Sequence, residues 1–147
     1  MSGTLFDTSV WIAAVFATHP SHRIAQKTLQ QATLTEPAVF CRSTQQSFLR
    51  LTSTPTLLKA YGAAGFTNRD ALVAYAALLG LPQACEREEA PGTVALWHRL
   101  AASDAASPKV WMDAYLAAFA ICGGMRLASL DQDFKNFVPG GLKFDLI

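Results

Sequence analysis

Three aspartates close separate apolar segments of this chain: Asp7 in Leu5-Phe6-Asp7-Thr8-Ser9, Asp113 in Val110-Trp111-Met112-Asp113-Ala114-Tyr115, and Asp131 in Leu127-Ala128-Ser129-Leu130-Asp131. A carboxylate in apolar surroundings costs free energy unless it is paired, hydrogen-bonded or bound to a metal. Three that met at one place would repel one another unless a cation sat between them. A site of that kind takes Mg²⁺ or Mn²⁺ and works on phosphate groups.

Each aspartate also has a plainer reading. Asp113 is the sharpest signal, because it is the only charged residue among the thirteen from Val110 to Cys122. With a helix starting at Ser107-Pro108 it falls in the second turn, too deep to cap the helix, and Asp is a poor residue for a helix interior. Its plainer reading is a buried carboxylate hydrogen-bonded to a neighbouring loop. Asp7, followed by Thr8-Ser9, is also an ordinary helix start. Asp131-Gln132-Asp133 is also an ordinary polar turn. The weight lies in the three occurring together, two after strands and one on an apolar helix.

The elements that would position them alternate between short apolar strands and longer helices. Thr4-Leu5-Phe6 reads as a buried strand, and any of Asp7, Thr8 and Ser9 could cap a helix from Val10. His19-Pro20-Ser21 breaks that helix. A second runs over 21–32 with Ile24, Ala25, Thr28 and Leu29 inward, and Ala38-Val39-Phe40-Cys41 is a second strand. A helix over 43–53 bears Phe48, Leu49 and Leu51. Residues 56–66 read as a loop around Gly62 and Gly65. Thr67-Asn68-Arg69-Asp70 has the form of a capping box and opens a helix to Leu79. Residues 83–92 read as an exposed connection with room for a short strand at Ala84-Cys85. A helix over 93–102 follows, then the one from Ser107-Pro108 to Gly123-Gly124. Residues 126–130 form a strand, Pro139-Gly140-Gly141 a turn, and 142–147 an alternating edge strand. This order predicts an α/β fold in one domain: a short parallel sheet flanked by helices on both faces, in three Rossmann-like layers. Its functional crevice lies beyond the carboxyl ends of the strands, where Asp7 and Asp131 stand.

Composition narrows the partners. Hydrophobic residues make up 51% of the 147 and charged residues only 16%, against roughly 25% charged in a typical soluble domain. Apolar surface covered by a partner is the expectation. The net charge of +1 supplies no global field for nucleic acid, so any such binding needs a local basic cluster. Three widely spaced cysteines, Cys41, Cys85 and Cys122, suit reduced thiols in a cytoplasm rather than a disulfide framework or a zinc site. The apolar run from Val10 to Phe16 is too short to span a membrane and has no basic leader. His19, His22 and His98 have no metal-ligand spacing, and Glu36, Asp70, Glu86, Glu88, Glu89, Asp104 and Asp145 read as solvated charges.

Three stretches, Leu5-Phe6-Asp7-Thr8-Ser9-Val10-Trp11-Ile12, Asp113-Ala114-Tyr115-Leu116-Ala117-Ala118 and Arg126-Leu127-Ala128-Ser129-Leu130-Asp131-Gln132-Asp133-Phe134, together resemble the signatures of PIN domains. The likeness is greatest to the VapC-type ribonuclease toxins of toxin–antitoxin pairs, and it covers nearly the whole chain. It implies Asp7, Asp113 and Asp131 as the acids that bind Mg²⁺ or Mn²⁺ and carry catalysis, with Ser9 as the accessory polar residue. Asp133 is either an accessory acid or a cap for the segment from Phe134. One position departs: where the family usually places a Glu early in the helix after the second strand, this chain has Gln45. An amide oxygen can still accept a hydrogen bond, but it brings no charge and cannot act as a base.

The chemistry implied is metal-assisted hydrolysis of an RNA phosphodiester. Arg42 and Arg50, near Gln45, and Lys109 and Trp111, just before Asp113, could meet phosphate and stack a base; alternatively they are ordinary surface groups, with Trp111 a core aromatic. The resemblance further implies a homodimer and a VapB-like antitoxin that lays an apolar segment near the acids. Two other functions stay open. One is a PIN-like RNA- or protein-binding module that lost catalysis with Gln45. The other is a phosphohydrolase with an aspartate nucleophile, disfavoured because Ser9, two residues after Asp7, cannot protonate a leaving group as an acid would.

Overall fold

The chain, described over residues 2–147 in a computed structural model, builds one parallel sheet. Its strands are β1 (Thr4–Phe6), β2 (Ala38–Phe40), β3 (Ala84–Glu86), β4 (Arg126–Ser129) and β5 (Phe144–Leu146), in the order β3-β2-β1-β4-β5. β1 is central, and the chain winds outward from it first to one side and then to the other. The expected three-layer α/β architecture is what forms, with the short strand at Ala84-Cys85 as one edge.

Period-two alternation sorts the strand side chains between two cores. Phe6, Ala38, Phe40, Ala84 and Ala128 point to one face, which is covered by α1 (Thr8–Val15), α2 (His22–Gln31), α3 (Arg42–Leu51), α4 (Pro55–Ala60) and α5 (Asn68–Leu79). Leu5, Val39 and Leu127 point to the other, under α7 (Pro108–Cys122), with α6 (Thr93–Ala101) packed against α7. Trp11 lies flat on Phe40, ring centroids 3.9 Å apart, and is fully buried.

Several local expectations are corrected. Residues 56–66 are not all loop: α4 forms there, with Pro55 at its start and Leu58 buried. Helix formers Leu57 to Ala60 outweigh the breaking signal of the glycines beyond them. Ile24 is 42% exposed rather than inward; Ala25 and Leu29 carry the inner face of α2. α1 begins at Thr8, because Asp7 itself caps it by accepting from the Thr8 N–H. Pro139 is not confined to a turn but lies inside a 3₁₀ segment, Gln132–Gly140, which Gly141 closes at φ 112°. Glu86 and Glu89 are not merely solvated, since they accept hydrogen bonds from the Tyr75 and Tyr115 hydroxyls. Asp145 pairs with Arg126. The Thr67–Asp70 capping box forms as read. No helix among the described residues is long and apolar enough to cross a membrane.

Candidate active site

β1 and β4 are neighbours, with Phe6 opposite Ala128. One further hydrogen bond, from the Asp7 N–H to the Ala128 carbonyl at 2.9 Å, carries the pairing past the strand end. Asp7 is thereby set beside Ser129, at the carboxyl edge of the sheet. Its Oδ1 accepts from the Thr8 N–H at 2.8 Å; its Oδ2 accepts from the Ser129 hydroxyl at 2.7 Å and the Ser9 hydroxyl at 3.2 Å. Burial pushes the Asp7 carboxyl above its ordinary range, and the three hydrogen bonds oppose that shift.

Asp131 follows β4. Its N–H donates to Ser129 Oγ at 2.9 Å, and its Oδ1 accepts from the Asp133 N–H at 2.9 Å. Asp131 therefore caps the 3₁₀ segment, a role the sequence left open for Asp133. The bond from the Asp133 N–H, together with Lys109, holds the Asp131 carboxyl below its ordinary value.

Asp113 lies in the second turn of α7, partly buried. Burial raises its pKa to about 6, against the pull of Lys109, and the charges of Asp131, Asp7 and Asp133 add to the rise. Lys109, one turn earlier, ties the acids together. Its ammonium is 2.9 Å from Asp131 Oδ2, 2.9 Å from Asp133 Oδ2 and 3.8 Å from Asp113 Oδ2. Among the described residues no three of His, Cys, Asp or Glu are placed to chelate an ion directly; these carboxylates fan around an ammonium instead. The donors are all hard oxygens already grouped about a positive charge, which is the chemistry that suits Mg²⁺ or Mn²⁺.

The other expected residues distribute unevenly. Gln45 accepts a hydrogen bond from Arg42, and both line a cavity of about 610 Å³ with Cys41, Glu86, Glu89 and Tyr115. Arg50 lines a separate depression between α3 and α5. Trp111 is not a core aromatic: it is 50% exposed, edge-on to Trp97, and its carbonyl accepts from the Trp97 indole N–H. Ser129 was not singled out from the sequence. Its signal there was small: a polar residue in an apolar strand, two positions before Asp131.

A PIN-domain family model matches residues 4–138. The chain is 42% identical over 146 residues to Ribonuclease VapC41 of Mycobacterium tuberculosis, with 97% of each covered. Three solved structures share its fold over 97–99% of either chain. They are VapBC-1 from nontypeable Haemophilus influenzae (TM-score 0.65, 12% identity), the sarcin-ricin-loop-cleaving toxin VapC20 of M. tuberculosis (0.62, 19%) and VapBC2 from Rickettsia felis bound to a DNA fragment from their promoter (0.61, 12%).

Proposed function

This chain belongs to the PIN-domain family, and from that membership we propose that it is a metal-dependent endoribonuclease, the toxin of a toxin–antitoxin pair, with Asp7, Asp113 and Asp131 as its metal-binding acids. The observation that carries the reading is the grouping of Asp113, Asp131 and Asp133 about one positive charge, beside the pinned carboxylate of Asp7. Sequence likeness to a ribonuclease over 97% of each chain supports the same activity.

Bound by these acids, Mg²⁺ or Mn²⁺ would activate a water and offset charge on the scissile phosphate. The chain's own residues do the positioning. Ser129, Ser9 and the Thr8 N–H fix the Asp7 carboxylate. Ser129 also holds the Asp131 backbone. Asp133 broadens the acidic rim, and Lys109 places a cation at its mouth. Trp111, half exposed three residues after Pro108, offers a face on which an RNA base can stack.

Apolar surface points to the partners. Leu72 and Val73 on α5 and Met112 on α7 are each more than half exposed. A second copy and a VapB-like antitoxin would cover them, and a basic side chain of the antitoxin would compete for the acid cluster. A second reading, a PIN-like binding module without catalysis, is favoured by Gln45, whose amide oxygen is taken by Arg42.

The test is a ribonuclease assay on the purified chain with and without Mn²⁺, beside Asp7→Asn. Cleavage that requires Mn²⁺ and vanishes in Asp7→Asn is the expected result. RNA binding without cleavage selects the binding module, and cleavage that survives Asp7→Asn removes the assigned site.

A further inference from the structure

The geometry points to Lys109 as a resident counter-ion whose ammonium holds the metal's place among Asp113, Asp131 and Asp133, so that metal uptake and this docked position of Lys109 exclude one another. The inference rests on the reading of these acids as a metal site.

The local helix gives Lys109 no reason to be where it is. It is the second residue of α7, in the first turn, where the helix dipole favours anions and disfavours cations. Its spacing to Asp113 runs Lys before Asp, the less favourable order for an i,i+4 pair. The contacts that outweigh both terms come from far along the chain, from Asp131 and Asp133 at 2.9 Å each. What this lysine satisfies is therefore the like-charge repulsion of the acid cluster, not the helix.

An ammonium and a divalent ion need the same oxygens. Mg²⁺ sits roughly 2.0–2.1 Å from a carboxylate oxygen, and Asp131 Oδ2 is already engaged by Nζ. With an ion bound there, two cations would stand a few ångströms apart. The lysine side chain is 62% exposed, so it can swing outward at small steric cost on a flexible four-carbon stem. Released, it stays at the rim of the same cluster, where a substrate phosphate would meet it.

Calorimetry with Mn²⁺ on the intact chain tests this. Removing the docked state should make Lys109→Met bind Mn²⁺ about tenfold more tightly, because the acids are no longer occupied by the competing ammonium. Lys135→Met, the same charge change at an exposed site on the 3₁₀ segment, is the control and should shift affinity less than about twofold. A spectroscopic readout accompanies it: the ¹⁵N signal of the Lys109 ammonium should lose its docked shift on addition of Mg²⁺. Equal Mn²⁺ affinity in wild type and Lys109→Met, equal gains in Lys109→Met and Lys135→Met, or an unmoved ammonium signal in Mg²⁺-saturated protein each overturns the proposal alone. No Mn²⁺ heat from wild type or either variant overturns it together with the metal-site reading.

Discussion

The Ser129 hydroxyl donates a 2.7 Å hydrogen bond to Asp7 Oδ2 across 122 residues of chain, and Ser129 Oγ in turn accepts from the Asp131 N–H. One fully buried hydroxyl thus fixes two acids that follow neighbouring strands. Ser129→Ala leaves a largely buried carboxylate short of a donor and an N–H short of an acceptor. The expected loss of stability is about 1.5–3 kcal/mol, typical of a hydrogen bond to a charged group. Asp7 loses its strongest opposing hydrogen bond, so its pKa climbs further and the acid limb of the cleavage profile moves to higher pH. Denaturant melts and a pH–rate series check both; wild-type values in both would remove Ser129 from the site.

Asp113→Asn should abolish cleavage while stabilising the chain in chelator at pH 7. With its pKa raised to about 6, Asp113 binds its proton more tightly in the folded state than in the unfolded one. Its ionisation therefore opposes folding: stability of the chelated wild type falls as pH rises from about 4 to 6 and levels off beyond. The variant should lack that part of the slope and gain about 1–2 kcal/mol at pH 7, after allowance for partial exposure. Asp131, with its pKa lowered, acts oppositely, its contribution disappearing only as pH falls below about 4. Melting temperatures from pH 4 to 8 decide it; a less stable Asp113→Asn at pH 7 would favour a structural role.

Gln45→Glu, which places the family's charge in the cavity that Gln45 lines with Arg42 and Tyr115, should tighten Mn²⁺ binding about threefold. The gain is held down because Arg42, which already donates to Gln45, pairs with the new charge. In an Arg42→Ala background the gain should therefore grow. If calorimetry shows no gain in either background, Gln45 does not stand at the family's Glu position.

The uncovered apolar side chains predict self-association. Sedimentation of the purified chain at micromolar concentration should give a dimer. Leu72→Glu with Val73→Glu, both on the open face of α5, should return it to monomer without lowering its melting temperature by more than ~2 °C, as expected of surface substitutions. A wild-type monomer would sink this expectation.

What could be read from the sequence was whatever short-range pattern decides. The strand at Thr4–Phe6 and the apolar helix around Asp113 follow from periodicity, and the Thr67–Asp70 box from capping chemistry. α4 was hidden because Gly62 and Gly65 dominate a window in which only Leu57 to Ala60 are good helix formers. The pairing of Ser129 with Asp7, and of Lys109 with Asp131 and Asp133, spans 122, 22 and 24 residues. The first depends on the β1–β4 register and the others on the packing of α7 against β4 and the 3₁₀ segment, which no local pattern encodes. Arg42 and Gln45, three apart on one helix, were within reach of local reasoning.

The central place of β1 beside β4 also governs when the enzyme can come into being during synthesis. Asp7 leaves the ribosome well before Ser129 and Asp131, which lie 122 and 124 residues further along the chain. A nascent polypeptide stopped before Arg126 has β1, β2 and β3 to pair, yet an open flank where β4 belongs and only two of its three metal-binding acids. An RNA-cleaving protein wired in this way cannot complete its acid cluster before β4 has been made.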